Sequence, residues 1–194
     1  ESGLFERKPG STYSNGYRYV NWSIDVPMLL IQLLYVTGAS TRQFRSAQYK
    51  FVVAGLLMIW TGYVGQYFEA TNMAQLWVWG GISTAFYLYV LWVVYGVISD
   101  GRRDAPREAS QVLGVVWALI LISWTLYPIA YAIPAVWPTS SGMVSRQIIF
   151  TMADITSKVI YGVLIGQVAQ IRSSAEGYEP AIQAVGPDAE KGAW

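Results

Sequence analysis

The chain has 194 residues, of which 54% are hydrophobic and only 13% charged, about half the charge of an ordinary soluble domain. A net charge of +1 gives no electrostatic footprint for nucleic acid. The lack of any His or Cys argues against disulfides, thiolate or imidazole metal sites, Ser-His-Asp triads and His-ligated haem.

The chain opens on "ESGLFERKPGSTYSN", polar and turn-rich, with no initiator Met and no signal-peptide pattern. Residues 1–16 are therefore expected to be a loop segment inside a longer protein. Five apolar stretches follow, at Tyr17–Gly38, Ala47–Tyr67, Met73–Ile98, Val112–Ile133 and Val144–Ile171. Each is long enough to cross a ~30 Å hydrocarbon core, which takes about 20 helical residues. They are too long and unpunctuated for a β-barrel, so residues 17–172 are expected to form an all-α membrane bundle of five spans. Nine Trp and fourteen Tyr suit the aromatic belts at two membrane interfaces. Residues 173–194, polar with Gly and Pro, read as a disordered tail.

Arg42 and Arg45 in the first break, Arg102, Arg103 and Arg107 in the third, and Arg172 at the head of the tail outweigh Arg7, Lys8 and Arg146 on the other side. The positive-inside rule then predicts a multi-pass protein of the cell membrane, with the N-terminal side extracellular and the C-terminus cytoplasmic.

Three ionisable residues fall well inside spans: Asp25, Asp154 and Lys158. A charge at the bilayer centre costs about 2.5–3.5 kcal/mol on insertion scales, so these three are expected to meet. Asp154 and Lys158 are four apart and share a helix face. Asp25, from the first span, can approach the same ammonium, and Arg18 lies two turns before it on the same face. The plain alternative is an ion-pair network that only fixes helix packing. Asn21, Asp25 and Gln32 also project to one face, a polar stripe about 16 Å long at 1.5 Å per residue. Pro27 removes one backbone donor beside it. Helix–helix hydrogen bonding accounts for Gln32 alone, whereas the aligned set, with Asp25 in the middle, reads as a pathway.

These residues resemble a family. "ADITSKVIYG", with its lysine four residues after Asp, resembles the retinal-binding helix of microbial rhodopsins. "YRYVNWSIDVPMLLIQ" resembles their third helix and "SWTLYPIAY" their sixth. The resemblance implies a seven-helix bundle of which the third to seventh helices are present here. It implies all-trans retinal on Lys158 as a protonated Schiff base, with Asp25 as counterion and proton acceptor, Asp154 as second counterion and Arg18 beside them. Trp22, Trp124, Tyr127 and Ser157 would line the pocket. Ordinary core or interface packing is the competing account of the aromatic residues.

Asn21, Asp25 and Gln32 occupy three positions where outward proton pumps typically carry Asp, Thr and a carboxylate. The set resembles the light-driven sodium pumps called NDQ after these letters. "GQYFE" and "VSRQ" resemble the outer ends of those pumps, which puts Glu69 and Arg146 at the ion-release side as an ion pair. Sodium would be met transiently near Asn21 and Asp154. The resemblance also suggests a homo-oligomer, a pentamer, in the lipid bilayer. The alternatives are a light-driven outward proton pump, a retinal-based photosensor, and a transporter that binds no retinal. A hydrolytic enzyme has no support.

Overall fold

A computed structural model describes residues 15–178. The chain forms helices α1 (Gly16–Val36), α2 (Thr41–Tyr67), α3 (Met73–Arg103), α4 (Arg107–Val136), α5 (Ser140–Ile155) and α6 (Tyr161–Ala175), with a π-helical turn (Thr156–Ile160) joining the last two. Of the expected polar segments, residues 1–14 and 179–194 lie outside the described residues.

The five rods follow the five apolar stretches but overrun them. α3 continues through Asp100, Arg102 and Arg103, and α4 begins at Arg107, so the third break shrinks to Asp104–Pro106. Hydropathy marks where the hydrocarbon ends. A helix ends only where its backbone hydrogen bonds find another partner. Those stops are written in local chemistry. Ser40 and Gln43 form a reciprocal capping box at the head of α2. Asn72 accepts from the Gln75 amide at the head of α3, and Thr139 from the Gly142 amide at the head of α5. Gly38 takes φ 67° in the turn after α1, a left-handed conformation that only glycine adopts without penalty.

Four stretches are long and apolar enough to cross a bilayer by length and composition: α1, α3, α4 and the continuous Ser140–Ala175 rod. α2 is not among them. Its first three turns hold Arg42, Arg45 and Lys50, and these polar residues lower its hydropathy although it packs along both α1 and α3. The outer surface of the bundle is apolar. Trp92, Ile122 and Val159 are each more than 60% exposed, as befits helices whose outward faces meet lipid.

The larger core joins Leu30, Leu33, Phe51, Val90, Leu113, Ile120 and Val168, and reaches the arginine-rich end. A smaller aromatic core, with Tyr19, Trp22 and Phe150, fills the opposite half. There Tyr131 reaches from α4 and donates to the Leu76 carbonyl at 2.9 Å. A Cβ on Gly65 or Gly80 would strike its ring or hydroxyl, so both positions need glycine for close approach.

Candidate functional site

The three intramembrane charges converge. The Lys158 ammonium lies 2.8 Å from Asp25 Oδ2 and 3.0 Å from Asp154 Oδ1. Arg18 is also at the cluster, but on Asp154 and not Asp25, with Nη1 donating to Oδ2 at 2.9 Å. The two carboxylates thus differ. Asp154 accepts from Arg18, from Trp22 Nε1 at 2.9 Å, from the Tyr127 hydroxyl at 2.8 Å and from Lys158. Asp25 faces Lys158 and the Asn21 amide, which donates to its Oδ2. Charge-assisted hydrogen bonds of this kind are about twice as strong as neutral ones, so Asp154 is fixed in place by more strong contacts than Asp25.

The lysine stands in the π turn, the one break in the α-helical pattern of the last rod. Such turns insert extra backbone into a helix, frequently at functional sites. Nothing in the residue spacing announced it. The α-helical separation of Asp154 and Lys158 still brings them together, because their contact spans the start of the turn.

Lys158 borders a cavity of ≈ 360 Å³. Trp22, Met58, Tyr87, Trp124 and Tyr127 line it, together with Ser157 from the π turn. Trp22 packs edge-on to both Tyr127 and Phe150. Ser157 is buried and shares a 3.1 Å hydrogen bond with the Tyr127 hydroxyl. Sequence reasoning missed Met58 and Tyr87, which come from α2 and α3. Their one available signal was position on an inward face, which many core residues share.

Gln32 is not drawn into the cluster. It lies two turns beyond Asp25 on an exposed part of α1. Glu69 and Arg146 do pair, from the α2–α3 turn to α5, with Arg146 only 1% exposed. Glu69 also borders a cleft of ≈ 890 Å³ with Thr139, Gln147 and Thr151.

A sequence model described as bacteriorhodopsin-like protein matches residues 2–171. Green-light absorbing proteorhodopsin of a gamma-proteobacterium is 26% identical over 160 residues, covering 81% of this chain and 62% of that protein. Among solved structures, xanthorhodopsin, a light-driven ion pump with dual chromophore, superposes with a TM-score of 0.79 at 31% identity, over 89% of this chain and 69% of that one. The light-driven proton pump of Leptosphaeria maculans gives 0.66 at 28% identity, over 81% and 62%. The chain therefore spans under two thirds of the length of the proteorhodopsin it matches. Proteins of this family bind retinal as a Schiff base on a lysine, and the cavity fits that group, with one lysine on its border and mostly apolar, aromatic walls. From the charged cluster, the helical bundle around it and the length of the match, this chain belongs to the bacteriorhodopsin-like family of microbial rhodopsins.

Proposed function

We propose that the protein to which this chain belongs is a light-driven outward sodium pump, with Lys158 as the retinal-bearing residue. The observation that carries the reading is the lysine held between two unequal carboxylates, Asp25 at 2.8 Å and Asp154 at 3.0 Å, with Asn21 on the first of them. Retinal, when bound, supplies light absorption and a photoisomerisation that moves the lysine nitrogen relative to its partners.

The residues of the chain do the rest. Protonating Asp154 would disturb four donors, and a buried donor left without a partner costs about 1–3 kcal/mol. Asp25 has only two, Lys158 itself and Asn21, so Asp25 takes the proton from the lysine nitrogen. That transfer neutralises the cation and its counterion together. At ~4 Å and an effective dielectric of 20 a unit charge is worth about 4 kcal/mol, enough to close the path to Na⁺ in one state and open it in the other. Asn21, freed from a charged Asp25, offers its carbonyl oxygen to the ion, a hard ligand for a hard cation, and Asp154 supplies the fixed negative charge. Return of the proton restores the cation and blocks backflow. Gln32 marks the cytoplasmic approach and, having no exchangeable acid, delivers no proton from that side. Glu69 and Arg146 stand at the release side. Residues 1–16, 17–172 and 173–194 serve as extracellular segment, transport bundle and cytoplasmic tail, and assembly is as a homo-oligomer.

Outward proton pumping is the second reading. It is favoured by the same Asp25–Lys158 contact, which suffices for proton release without Na⁺, and by similarity to a light-driven proton pump. The deciding experiment uses cells expressing the full-length protein with retinal in unbuffered NaCl. Sodium export predicts external alkalinisation under light that a protonophore enhances and that vanishes in KCl. Acidification abolished by the protonophore would identify a proton pump instead.

A further inference from the structure

We propose that the buried hydroxyl of Ser123 is a water-binding step on the ion path, between the Gln32 stretch of α1 and Lys158. The proposal rests on the reading of this bundle as an ion transporter, and it holds for sodium and for protons alike.

On one stripe α4 buries Ala109, Leu113, Val116, Ile120 and Ser123, at spacings of four and three. The first four are apolar and join the larger core. Ser123 is polar and 0% exposed. Among the described residues its hydroxyl has no hydrogen-bond partner. The other buried hydroxyls have one: Thr37 donates to the Leu34 carbonyl, and Ser157 is joined to Tyr127. A serine or threonine inside a helix has a ready acceptor in the carbonyl four residues back. Ser23, Thr61, Thr84 and Thr125 each take it, but Ser123 leaves the Leu119 carbonyl alone. Beside it, Pro128 has no N–H to give the Trp124 carbonyl. Two polar groups on adjacent residues thus lack a helical partner inside the bundle.

Their place is between the charged cluster and the arginine-rich end. Tyr127, one turn along α4, reaches Asp154 and Ser157. Ser123 lies four residues back, about 6 Å nearer the arginine-rich end at 1.5 Å per residue. On α1, Gln32 lies seven residues beyond Asp25, about 10 Å in the same direction. The larger core closes the space between, with Leu30 and Leu33 fully buried in it. A charge crossing apolar surroundings without oxygen partners is strongly disfavoured. A buried hydroxyl without a partner also carries a cost that alanine would not, and such a group is explained by a bound water or by function. A buried water takes two or more polar partners, and the Ser123 hydroxyl and the Trp124 carbonyl supply two. Water held there divides the apolar crossing into two shorter steps.

The test uses the full-length protein with retinal, unsubstituted and as Ser123→Ala and Ser123→Cys. Cysteine keeps the bulk of serine but hydrogen-bonds weakly, so it separates the hydroxyl from the space it fills. Light-minus-dark infrared difference spectra in D2O should lose a water O–D stretching band in both variants. Light-driven ion flux per pigment, whichever ion the unsubstituted protein moves, should fall about tenfold, the rate equivalent of one hydrogen bond. The midpoint of thermal bleaching of Ser123→Ala should not fall, because the hydroxyl satisfies no protein group. Unchanged water bands, unchanged flux, a loss confined to Ser123→Ala, or a loss of flux in step with a lowered midpoint would each overturn the proposal. An unsubstituted protein that moves no ion would defeat the transport reading by itself, while the infrared bands still report on water at Ser123.

Discussion

Asp25 and Asp154 bind the same ammonium at nearly the same distance, yet their surroundings assign them different work. Asp154 sits under four donors, three of them on a single oxygen. Asp25 has two. Asp25→Asn should therefore keep the pigment and lower light-driven transport at least about tenfold, the effect of losing a positioned proton acceptor, measured as light-driven ion flux per pigment. Asp154→Asn should instead weaken the pigment itself. It leaves Arg18 and Lys158 short of negative charge in a partly buried site, at a cost of about 3 kcal/mol, the low end for breaking a buried pair. The midpoint of thermal bleaching reads it. Transport by Asp25→Asn at an unchanged rate would reverse the assignment of the two carboxylates. Gln32, exposed and apart from the cluster, lends the sodium reading only its chemical type, whereas Asn21 lends it geometry.

At the scale of elements, α1 and the last rod are the two that must keep register, since every charge of the cluster comes from one or the other. Pro27 lies inside α1 and withholds one N–H from its ladder. Two residues on, the Leu29 carbonyl accepts from the Tyr161 hydroxyl at 2.7 Å, and Tyr161 is the first residue after the π segment that carries Lys158. This bond ties the proline-weakened stretch of α1 to the rod whose helical phase shifts at the lysine. Tyr161→Phe should cost about 1 kcal/mol, seen as a lower bleaching midpoint of the full-length pigment with its visible band retained. No change in midpoint would mean that the two rods hold register by apolar packing alone. The helices themselves were plain in the sequence, from hydropathy and length. The π turn was not, because an extra residue in a helical turn leaves the pattern of residue types intact.

At the scale of the whole molecule, the Glu69–Arg146 pair joins chain segments 77 residues apart and fastens the α2–α3 turn to the last rod. The guanidinium is 1% exposed and the carboxylate 17%, so the two partners are not equivalent. Glu69→Ala strands a fully buried cation and should cost about 3–5 kcal/mol. Adding Arg146→Met to it removes the stranded charge and should recover part of that loss, as thermal midpoints of the two variants and the unsubstituted protein would reveal. A double variant no more stable than Glu69→Ala would show that the arginine also serves partners other than Glu69.

Chemistry that is local or periodic was decided by the sequence alone. Five long helical stretches, four of them apolar enough to cross a bilayer by length and composition, the i, i+4 separation of Asp154 and Lys158, and the shared face of Asn21 and Asp25 follow from helix geometry and the cost of charge in lipid, and none depends on what packs beside the helix. The motif residues around the lysine carried the family for the same reason. Tertiary structure alone decided which partners meet across helices. Arg18 chose Asp154 over Asp25, Trp22 turned its indole N–H to that carboxylate, and Met58 and Tyr87 closed the cavity. Such contacts depend on how the helices are spaced, and that spacing is a property of the packed bundle that no helix encodes by itself.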